Sequence, residues 1–332
     1  MKYSASLVRF QLSPFIMNKM KRIYLEFEKD IETLDLQMSE LKTLNSSKGI
    51  SFSPEIKKLQ KLKFATLKKT YKNLTPWETV QVSRHPQRPI LQDYLKYMIN
   101  DFKELHGDKY FGDDKSLICG LGEIGREKVM IIGHNKGKTT EENIERNFGS
   151  AHPEGYRKAL SKMKFAEKFN IPVITFIDTP GAYPGMDSEE RGISRSISRN
   201  MFEMSKLKVP IICVVIGEGG SGGALGIGVG DKLSMLEYSY YSVISPEGCS
   251  AILWKDGQFA SEAAKSLKLT SKELLKLSLV DEVIGEPLGG AHRSYHDTFF
   301  NVKMSILKNL RSLKRFKMGN LLKNRYAKLR SL

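Results

Sequence analysis

The densest cluster of glycines in the chain directly follows a run of β-branched apolar residues. Residues 209–231 read VPIICVVIGEGGSGGALGIGVGD. The apolar run at 211–216 has the length and composition of a buried strand. Seven glycines follow between Gly217 and Gly228, and the apolar residues among them predict a packed helix of small residues rather than a free loop.

A strand that ends in glycines and leads into a helix can point bare backbone N–H groups at a ligand. Because glycine has no Cβ atom, the ligand can approach the backbone closely, and the first turn of a helix adds a partial positive charge. The ligand of such a site is either a phosphate group or an oxyanion that forms during a reaction.

The phosphate alternative rests on Gly217, Gly219 and Gly222, which spell G-x-G-x-x-G with Glu237 twenty residues after the first glycine. The helix after a dinucleotide-binding turn normally runs for about ten or more residues, whereas glycines interrupt this one. The motif also lies late in the chain. We therefore do not favour dinucleotide binding, and a purely structural glycine turn is a second alternative.

Ser221 lies at the centre of G-x-S-x-G, the pattern of the nucleophile turn in α/β-hydrolases. A serine hydrolase would also need a histidine, either His292 or His296, and an acid between serine and histidine such as Asp281. The chain offers few other catalytic side chains, and a lone histidine is usually a surface or core residue. We do not favour the hydrolase.

A second glycine-rich loop follows another predicted strand. Residues 171–178 (IPVITFID) form a short apolar run, and TPGAYPG follows at 179–185. If the two strands are parallel, both loops emerge at the same edge of the sheet. They would form a pocket lined with backbone amides and few charged side chains.

Periodicity predicts an α/β fold with mostly parallel strand pairing, because strands alternate with helices along the chain. The predicted N-terminal elements are a helix from Met17 that breaks at 45–49 and a second helix with Ser53 as its N-cap and Pro54 as its first helical residue. A connector at 74–89, a helix at 94–105 and a β-hairpin from Leu117 that turns near Gly125 follow. The later elements include helices at 154–169 and 188–206 and a strand at 280–284.

The net charge of +16 is concentrated at the two ends of the 332-residue chain. Residues 1–25 carry five Lys or Arg and residues 298–332 carry ten, and neither segment contains an Asp or Glu. These ends could meet nucleic acid or an acidic partner subunit. We favour a solvated basic helix face instead.

Cysteine usage and hydropathy restrict the class of protein. Cys119, Cys213 and Cys249 are widely separated, which predicts reduced thiols in a cytoplasmic compartment. The sequence contains no C-x-x-C pair or His/Cys cluster, so we expect no metal site in this chain. Its apolar runs are too short for a membrane span.

Several longer motifs, taken together, resemble the alpha-subunit family of the bacterial acetyl-CoA carboxylase carboxyltransferase. The similarity extends from about Met17 to the C-terminus. The motifs are HPQRP at 85–89, RNFG at 146–149, PEGYRKAL at 153–160, IDTPGAYPG at 177–185, EERG at 189–192, the glycine stretch, YYSVISPEGC at 240–249, ILWK at 252–255 and EPLGGAHR at 286–293.

The resemblance implies an α/β fold of the crotonase type, a ββα superhelix with an N-terminal helical hairpin and C-terminal helices. It divides the chain into a helical hairpin with its connector at 17–90, a crotonase-like carboxyltransferase domain at 91–297 and a basic helical segment at 298–332. Residues 1–16 are either a short targeting segment or lie upstream of a start at Met17.

The implied reaction is carboxyl transfer from carboxybiotin, held on a separate biotin carrier protein, to acetyl-CoA. Its product is malonyl-CoA, in the first committed step of fatty acid synthesis. A separate biotin carboxylase uses ATP to carboxylate the biotin. The implied partner is a beta subunit with a zinc ribbon, assembled as two of each chain in the cytoplasm.

The resemblance also assigns site residues. By this resemblance, the amides of Gly222 and Gly223 would bind the biotin oxygen. Independently of the resemblance, we expect Asp178, Glu218 and Glu247 to be structural rather than catalytic. Seven further residues would line the substrate pocket. They are Gly219, Gly220, Gly181, Ala182, Tyr183, Pro184 and Gly185. Two alternatives stay open: another crotonase-like acyl-CoA enzyme, and a non-catalytic scaffold or nucleic-acid-binding module.

Removal of residues 1–16 should leave activity and assembly intact, because this segment precedes the first periodic apolar residue and has no core pattern. The measurement is co-purification with the beta subunit, followed by a carboxyl-transfer assay, for a chain that starts at Met17. A truncated chain that no longer assembles would contradict this expectation.

Overall fold

The computed structural model describes residues 22–48 and 52–331. In this part of the chain, eight strands form one sheet in the order β1-β2-β3-β4-β5-β6-β8, and β7 pairs with β5. The strands are β1 Asn100–Glu104, β2 Leu117–Ile124, β3 Glu127–His134, β4 Val173–Thr179, β5 Ile211–Gly220, β6 Lys232–Leu236, β7 Tyr240–Ser242 and β8 Glu282–Ile284.

Helices surround this sheet, and short 3-10 turns link some of them. The α-helices in the described residues are α1 Lys29–Lys48, α2 Ser53–Lys72, α3 Pro76–Ser83, α4 Leu91–Met98, α5 Thr140–Glu145, α6 Pro153–Lys168, α7 Met186–Glu190, α8 Ile193–Lys206, α9 Ser221–Leu225, α10 Pro246–Trp254, α11 Ala260–Leu267, α12 Ser271–Lys276, α13 Tyr295–Leu313 and α14 Met318–Arg330.

The strand directions confirm the prediction of mostly parallel pairing. β1, β2 and β3 pair antiparallel, and the pairs from β3 through β8 are parallel. β5 is long enough to pair with β6 at its start and with β7 at its end. The carboxyl end of β5 therefore lies between β4 and β7, and the glycine-rich helix α9 follows it directly.

Strand β5 is buried on both faces, which explains its continuous apolar sequence. Successive side chains of a strand point to opposite faces of the sheet. Ile211, Cys213 and Val215 pack in a core with α6 and α8. Ile212, Val214 and Ile216 pack in a second core with α4 and α13. These two cores fix the height at which β5 ends.

Within the described residues, the first α-helix begins at Lys29, later than predicted. Residues 17–21 lie outside the described part, 22–25 are not helical, and a 3-10 turn at Glu26–Glu28 leads into α1. Glu28 sets this start, because its buried carboxylate accepts hydrogen bonds from the Leu25 amide at 3.0 Å and the Tyr71 hydroxyl at 2.9 Å.

Two further predictions about the hairpin were wrong by a few residues. The predicted break at 45–49 does not end α1, which continues through Lys48. The N-cap of α2 is Phe52, so Ser53 is the first helical residue and Pro54 the second. Proline is tolerated in the first turn of a helix because the N–H groups there have no intrahelical acceptor.

The segment before the β-hairpin also differs from the prediction. The predicted helix at 94–105 is α4 followed by strand β1, which is mostly exposed and therefore shows little apolar alternation. The predicted connector at 74–89 contains α3, whose N-cap Thr75 accepts a hydrogen bond from the Glu78 amide. The predicted helix at 188–206 is divided by Gly192, which has a φ of 78°.

Other elements confirm the sequence-based predictions. β2 and β3 form the predicted hairpin with its turn at Gly125, and α6 and β8 match the predictions closely. The glycine-rich helix exists as α9, but it is only five residues long.

Composition suggested that the basic C-terminal segment forms a solvated helix face, but one of its arginines is buried. Arg325 on α14 is buried and makes two hydrogen bonds to Asp231, at 2.8 and 2.7 Å. Its guanidinium also donates to the carbonyl oxygens of Met204, Leu207 and Val209. Arg325 thereby attaches α14 to the residues that lead into β5.

Replacement of Arg325 by Met should destabilise the chain by about 3–5 kcal/mol, because Asp231 would remain buried without a counterion. The free energy of unfolding in urea measures the effect. Lys323→Met is the matched control, since Lys323 lies on the same helix but is exposed. Equal, small effects from both variants would contradict the importance of the buried pair.

Candidate active site

The loop after β4 and the helix after β5 touch through their backbones. A Cβ atom on Gly223 would lie 2.5 Å from the amide nitrogen of Ala182, and one on Gly220 would overlap the carbonyl oxygen of Pro180. Glycine is therefore required at both positions. This contact confirms the prediction that the two loops emerge together at one edge of the sheet.

The other predicted site residues lie on these two loops or at the end of β5. Gly219 is inside β5, where it pairs with Thr179 of β4 and Tyr241 of β7. Gly222 is less restricted, because a Cβ there would make only an ordinary 3.5 Å contact with Ile197. In the other loop Gly181, Ala182, Tyr183 and Gly185 are half-buried and Pro184 is exposed.

The amides of Gly222 and Gly223 occupy the first turn of α9. In the first turn of a helix the N–H groups have no intrahelical acceptor, so these two amides have none within α9. Ser221, at the start of the turn, is exposed and has a φ of 48°. This left-handed conformation is uncommon for a serine, and such strain is often found at functional sites.

The loop after β4 is held from its other side by the segment before α6. The amide of Tyr183 donates to the carbonyl oxygen of Ala151 at 3.1 Å. The ring of Tyr183 packs on the ring of His152, with 4.2 Å between their centroids. His152 is anchored in turn, because its Nδ1 lies 2.8 Å from the Ser188 hydroxyl.

A cluster of charged side chains lies directly beneath the two loops. The ammonium group of Lys136 lies 2.8 Å from an oxygen of Asp178 and 2.7 Å from an oxygen of Glu218. The Glu218 amide donates to the same oxygen of Asp178 at 2.9 Å. Gly217 is required between them, because a Cβ at Gly217 would overlap the Asp178 carboxylate.

The far side of Glu218 faces α3 and β7. One oxygen of Glu218 accepts hydrogen bonds from Arg84 and from the Tyr240 hydroxyl, both at 2.8 Å. Arg84 also forms an ion pair with Glu247 of α10. Arg84 and Lys136 were not among the residues predicted from the sequence, although His85, next to Arg84, opens one of the motifs.

These contacts keep Glu218 ionised. Burial alone would raise its pKa, but Lys136 and Arg84 outweigh that effect and lower the pKa to about 2. Because the folded-state pKa is below the ordinary value of 4.5, the resulting stabilisation is present above about pH 4.5 and is lost as the pH falls toward 2. Glu218 is therefore ionised near neutral pH, and its low pKa makes it a weak base.

The hydrolase alternative does not fit this geometry. His292 is buried and stacks on His85 with 3.7 Å between centroids, and His296 contacts Asp297. Within the described residues neither histidine hydrogen-bonds Ser221. The dinucleotide alternative does not fit either, because Gly217 and Gly219 lie inside β5 rather than in a turn.

The described residues contain neither a metal-binding cluster nor a membrane-spanning helix. No group of three or more His, Cys, Asp or Glu side chains in residues 22–48 and 52–331 is arranged to hold a metal ion. No helix in the same ranges combines the length and apolar character needed to cross a membrane.

The fold is similar to that of carboxyltransferases of the crotonase-like class. A transcarboxylase 12S structure with bound methylmalonyl-coenzyme A superimposes with a TM-score of 0.56 over 68% of this chain and 42% of that chain, at 19% identity. The beta subunit of Pseudomonas aeruginosa geranyl-CoA carboxylase superimposes with a TM-score of 0.53 over 76% of this chain and 46% of that chain, at 15% identity.

Sequence comparison identifies the family. The model described as acetyl co-enzyme A carboxylase carboxyltransferase-like matches residues 24–332. The acetyl-coenzyme A carboxylase carboxyl transferase subunit alpha of Rhodopirellula baltica is 52% identical over 93% of this chain and 96% of its own length. The subunit alpha of Nitrosomonas europaea is 51% identical over the same fractions. The chain therefore belongs to this family of carboxyltransferase alpha subunits.

The steric contrast between the two glycines of α9 is directly testable. Gly223→Ala should cost about 1–3 kcal/mol in unfolding free energy, because its methyl group overlaps the Ala182 backbone. Gly222→Ala should instead be neutral or stabilising by up to about 1 kcal/mol, since alanine fits and restricts the unfolded chain. Thermal unfolding of both variants measures this, and the reverse order would contradict the loop contact.

Proposed function

We propose that this chain is the alpha subunit of the carboxyltransferase component of acetyl-CoA carboxylase. In this role it takes part in transfer of the carboxyl group from carboxybiotin to acetyl-CoA, which produces malonyl-CoA. The close backbone contact between Gly223 and Ala182, which brings amide groups of the two loops together, supports this proposal most directly. Family membership over nearly the whole chain supports it independently.

The chemistry explains why backbone amides suffice. Carboxybiotin, when bound, would supply CO2 and a basic ureido oxygen that could accept the methyl proton of acetyl-CoA, and the amides of Gly222 and Gly223 would bind that oxygen. Preorganised N–H donors stabilise an oxyanion strongly in a site that excludes water. Gly222 and Gly223 supply two donors, and the chain needs no strong base.

The loop from Gly181 to Gly185 forms the adjoining wall of the biotin pocket in this proposal. Its contacts with Ala151 and His152 hold it in place before biotin arrives, so little ordering is needed on binding. Gly219 and Gly220 set the depth of the pocket, because their backbones belong to β5. The side chains of Asp178 and Glu218 serve the structure, since both are paired with Lys136.

The proposed partner is the beta subunit, assembled as two of each chain. The thioester enolate of acetyl-CoA needs a second set of donors, which the beta subunit would supply together with its zinc ribbon and most of the CoA contacts. An exposed apolar patch beside the site supports such a partner. Its members are Val243, Ile252, Leu253, Trp254 and Phe259.

Val243 lies next to the site, because it directly follows Ser242, which pairs with Gly220 at the end of β5. The biotin carrier protein and the ATP-using biotin carboxylase complete the proposed system. We place it in the cytoplasm, in keeping with the three free cysteines.

The proposed function is tested by reconstitution with the beta subunit, acetyl-CoA and carboxylated biotin carrier. The chain alone should form no malonyl-CoA, and the complex should. Malonyl-CoA formation by the chain alone would contradict the shared site. Turnover of an acyl-CoA by the chain alone in a different reaction would favour another acyl-CoA enzyme of this fold.

Variants of Ser221 and Gly223 test which atoms act. Ser221→Ala should keep most of the activity, because every amide remains in place. Gly223→Pro should lower turnover at least about 100-fold, since it removes one donor. Gly223→Ala is the matched control, because its Cβ causes the same overlap with Ala182 but its N–H group is retained. Its turnover should therefore be higher than that of Gly223→Pro. An inactive Ser221→Ala complex with normal assembly would contradict the backbone mechanism.

A further inference from the structure

We infer that Lys136 is a positioning residue for carboxyl transfer: it joins the ends of β4 and β5 and so sets the geometry of the amide-lined pocket. This inference rests on the proposed function, because it assigns the pocket to biotin. Lys136 does not belong to either loop of the site. It follows β3, and its ammonium group reaches the neighbouring strands beneath the loops.

The two carboxylates that Lys136 joins are buried and close to each other. Asp178 is 5% exposed and Glu218 is 7% exposed. Both carry negative charge in a region of low dielectric constant, where like charges repel strongly. In the described residues, Lys136 is the one cation in an ion pair with Asp178, whereas Glu218 also binds Arg84.

A displacement of these carboxylates would reach the pocket within two residues. Asp178 is followed by Thr179, which pairs with Gly219. Glu218 is followed by Gly219 and Gly220, and Gly220 packs against the Pro180 carbonyl. Since these backbone contacts leave no free space, separation of residues 178 and 218 would separate the two loops.

The Lys136 side chain is itself held by a strained turn. Asn147, Phe148 and Gly149 have φ values of 46°, 54° and 80°, three left-handed residues in succession. A Cβ on Gly149 would lie 2.9 Å from the Asp178 carbonyl oxygen and 3.0 Å from Cγ of Lys136. Strain of this kind is maintained only where surrounding contacts enforce it. The turn therefore confines the unbranched Lys136 stem beside β4.

Other titratable and charged groups also lie around Asp178, Glu218 and Lys136. Arg84, Glu247 and Tyr240 surround the far side of Glu218. Arg88, which is paired with Glu286, and Tyr94 lie behind Asp178, and the buried His134 lies near Lys136. In a variant without the ammonium group, burial favours the protonated form of one carboxylate.

The charges of Lys136, Asp178 and Glu218 predict that the effect of Lys136→Met on turnover depends on pH. In Lys136→Met, a proton bound between the two carboxylates at low pH can replace part of the lost bridge. At high pH both are charged and repel each other. We therefore expect turnover to fall about 10-fold to 100-fold, the range caused by small misplacements of reacting groups. The deficit relative to wild type should grow as the pH rises from about 6 to 9.

Three matched variants separate positioning from general damage. Lys136→Arg retains a positive charge, so its deficit should not grow with pH. Asp178→Asn combined with Lys136→Met removes the repulsion and provides an amide donor, so it should recover most of the lost turnover. Lys115→Met removes an exposed lysine that pairs with exposed Glu145, and it should resemble wild type.

The assay uses each variant in complex with the beta subunit, with acetyl-CoA and carboxylated biotin carrier as substrates. A Lys136→Met complex with wild-type turnover, or with a deficit that does not vary with pH, would overturn the inference. If Lys136→Met does not assemble, the double variant decides: recovery of assembly and transfer supports the inference, and failure overturns it. Absence of transfer by the wild-type complex would instead refute the proposed function.

Discussion

The close backbone contact between the two loops is the constraint on which the site depends. Gly220 lies against Pro180, and Gly223 lies against Ala182, with no room for a Cβ atom at either glycine. Such a contact is possible only if β4 and β5 end at matching heights. Their parallel pairing runs from Val173 beside Ile211 to Ile177 beside Val215, and a shift of register then places Thr179 beside Gly219. The two cores that bury both faces of β5 then hold the register.

Beneath the contact, electrostatics and burial act in opposite directions. Burial disfavours the charged forms of Lys136 and Glu218, but their mutual attraction and that of Asp178 and Arg84 outweigh it. Buried charges of this kind are tolerated only when each has its partner. The polar cluster consequently permits one arrangement of the strand ends. A site built from backbone amides needs such a fixed frame, because amides have no side-chain freedom with which to adjust.

Ion pairs also attach the two ends of the described part of the chain to the body of the protein. Arg325 of α14 enters the body of the protein to reach Asp231, and Arg293 pairs with Glu28 just before α1. Their charges therefore act inside the fold. The net positive charge of the chain says little about its ligands when individual cations are used in this way.

The sequence by itself determined the buried strands and the meeting of the two glycine-rich loops. Strands β4 and β5 begin with apolar runs because both of their faces are covered, and parallel strands bring their carboxyl ends to one edge. The motif resemblance also identified the family. Strand β1 was missed because an exposed edge strand has little apolar alternation to detect.

Only the tertiary structure decided which charged residues support the site. Lys136 and Arg84 precede Glu218 by 82 and 134 positions, so no local pattern links them. Composition likewise treats Arg325 and Lys323 alike, although one is buried with five hydrogen bonds and the other faces water. The physical reason is that an ion pair depends on distance in space, which the sheet creates when it brings distant segments together.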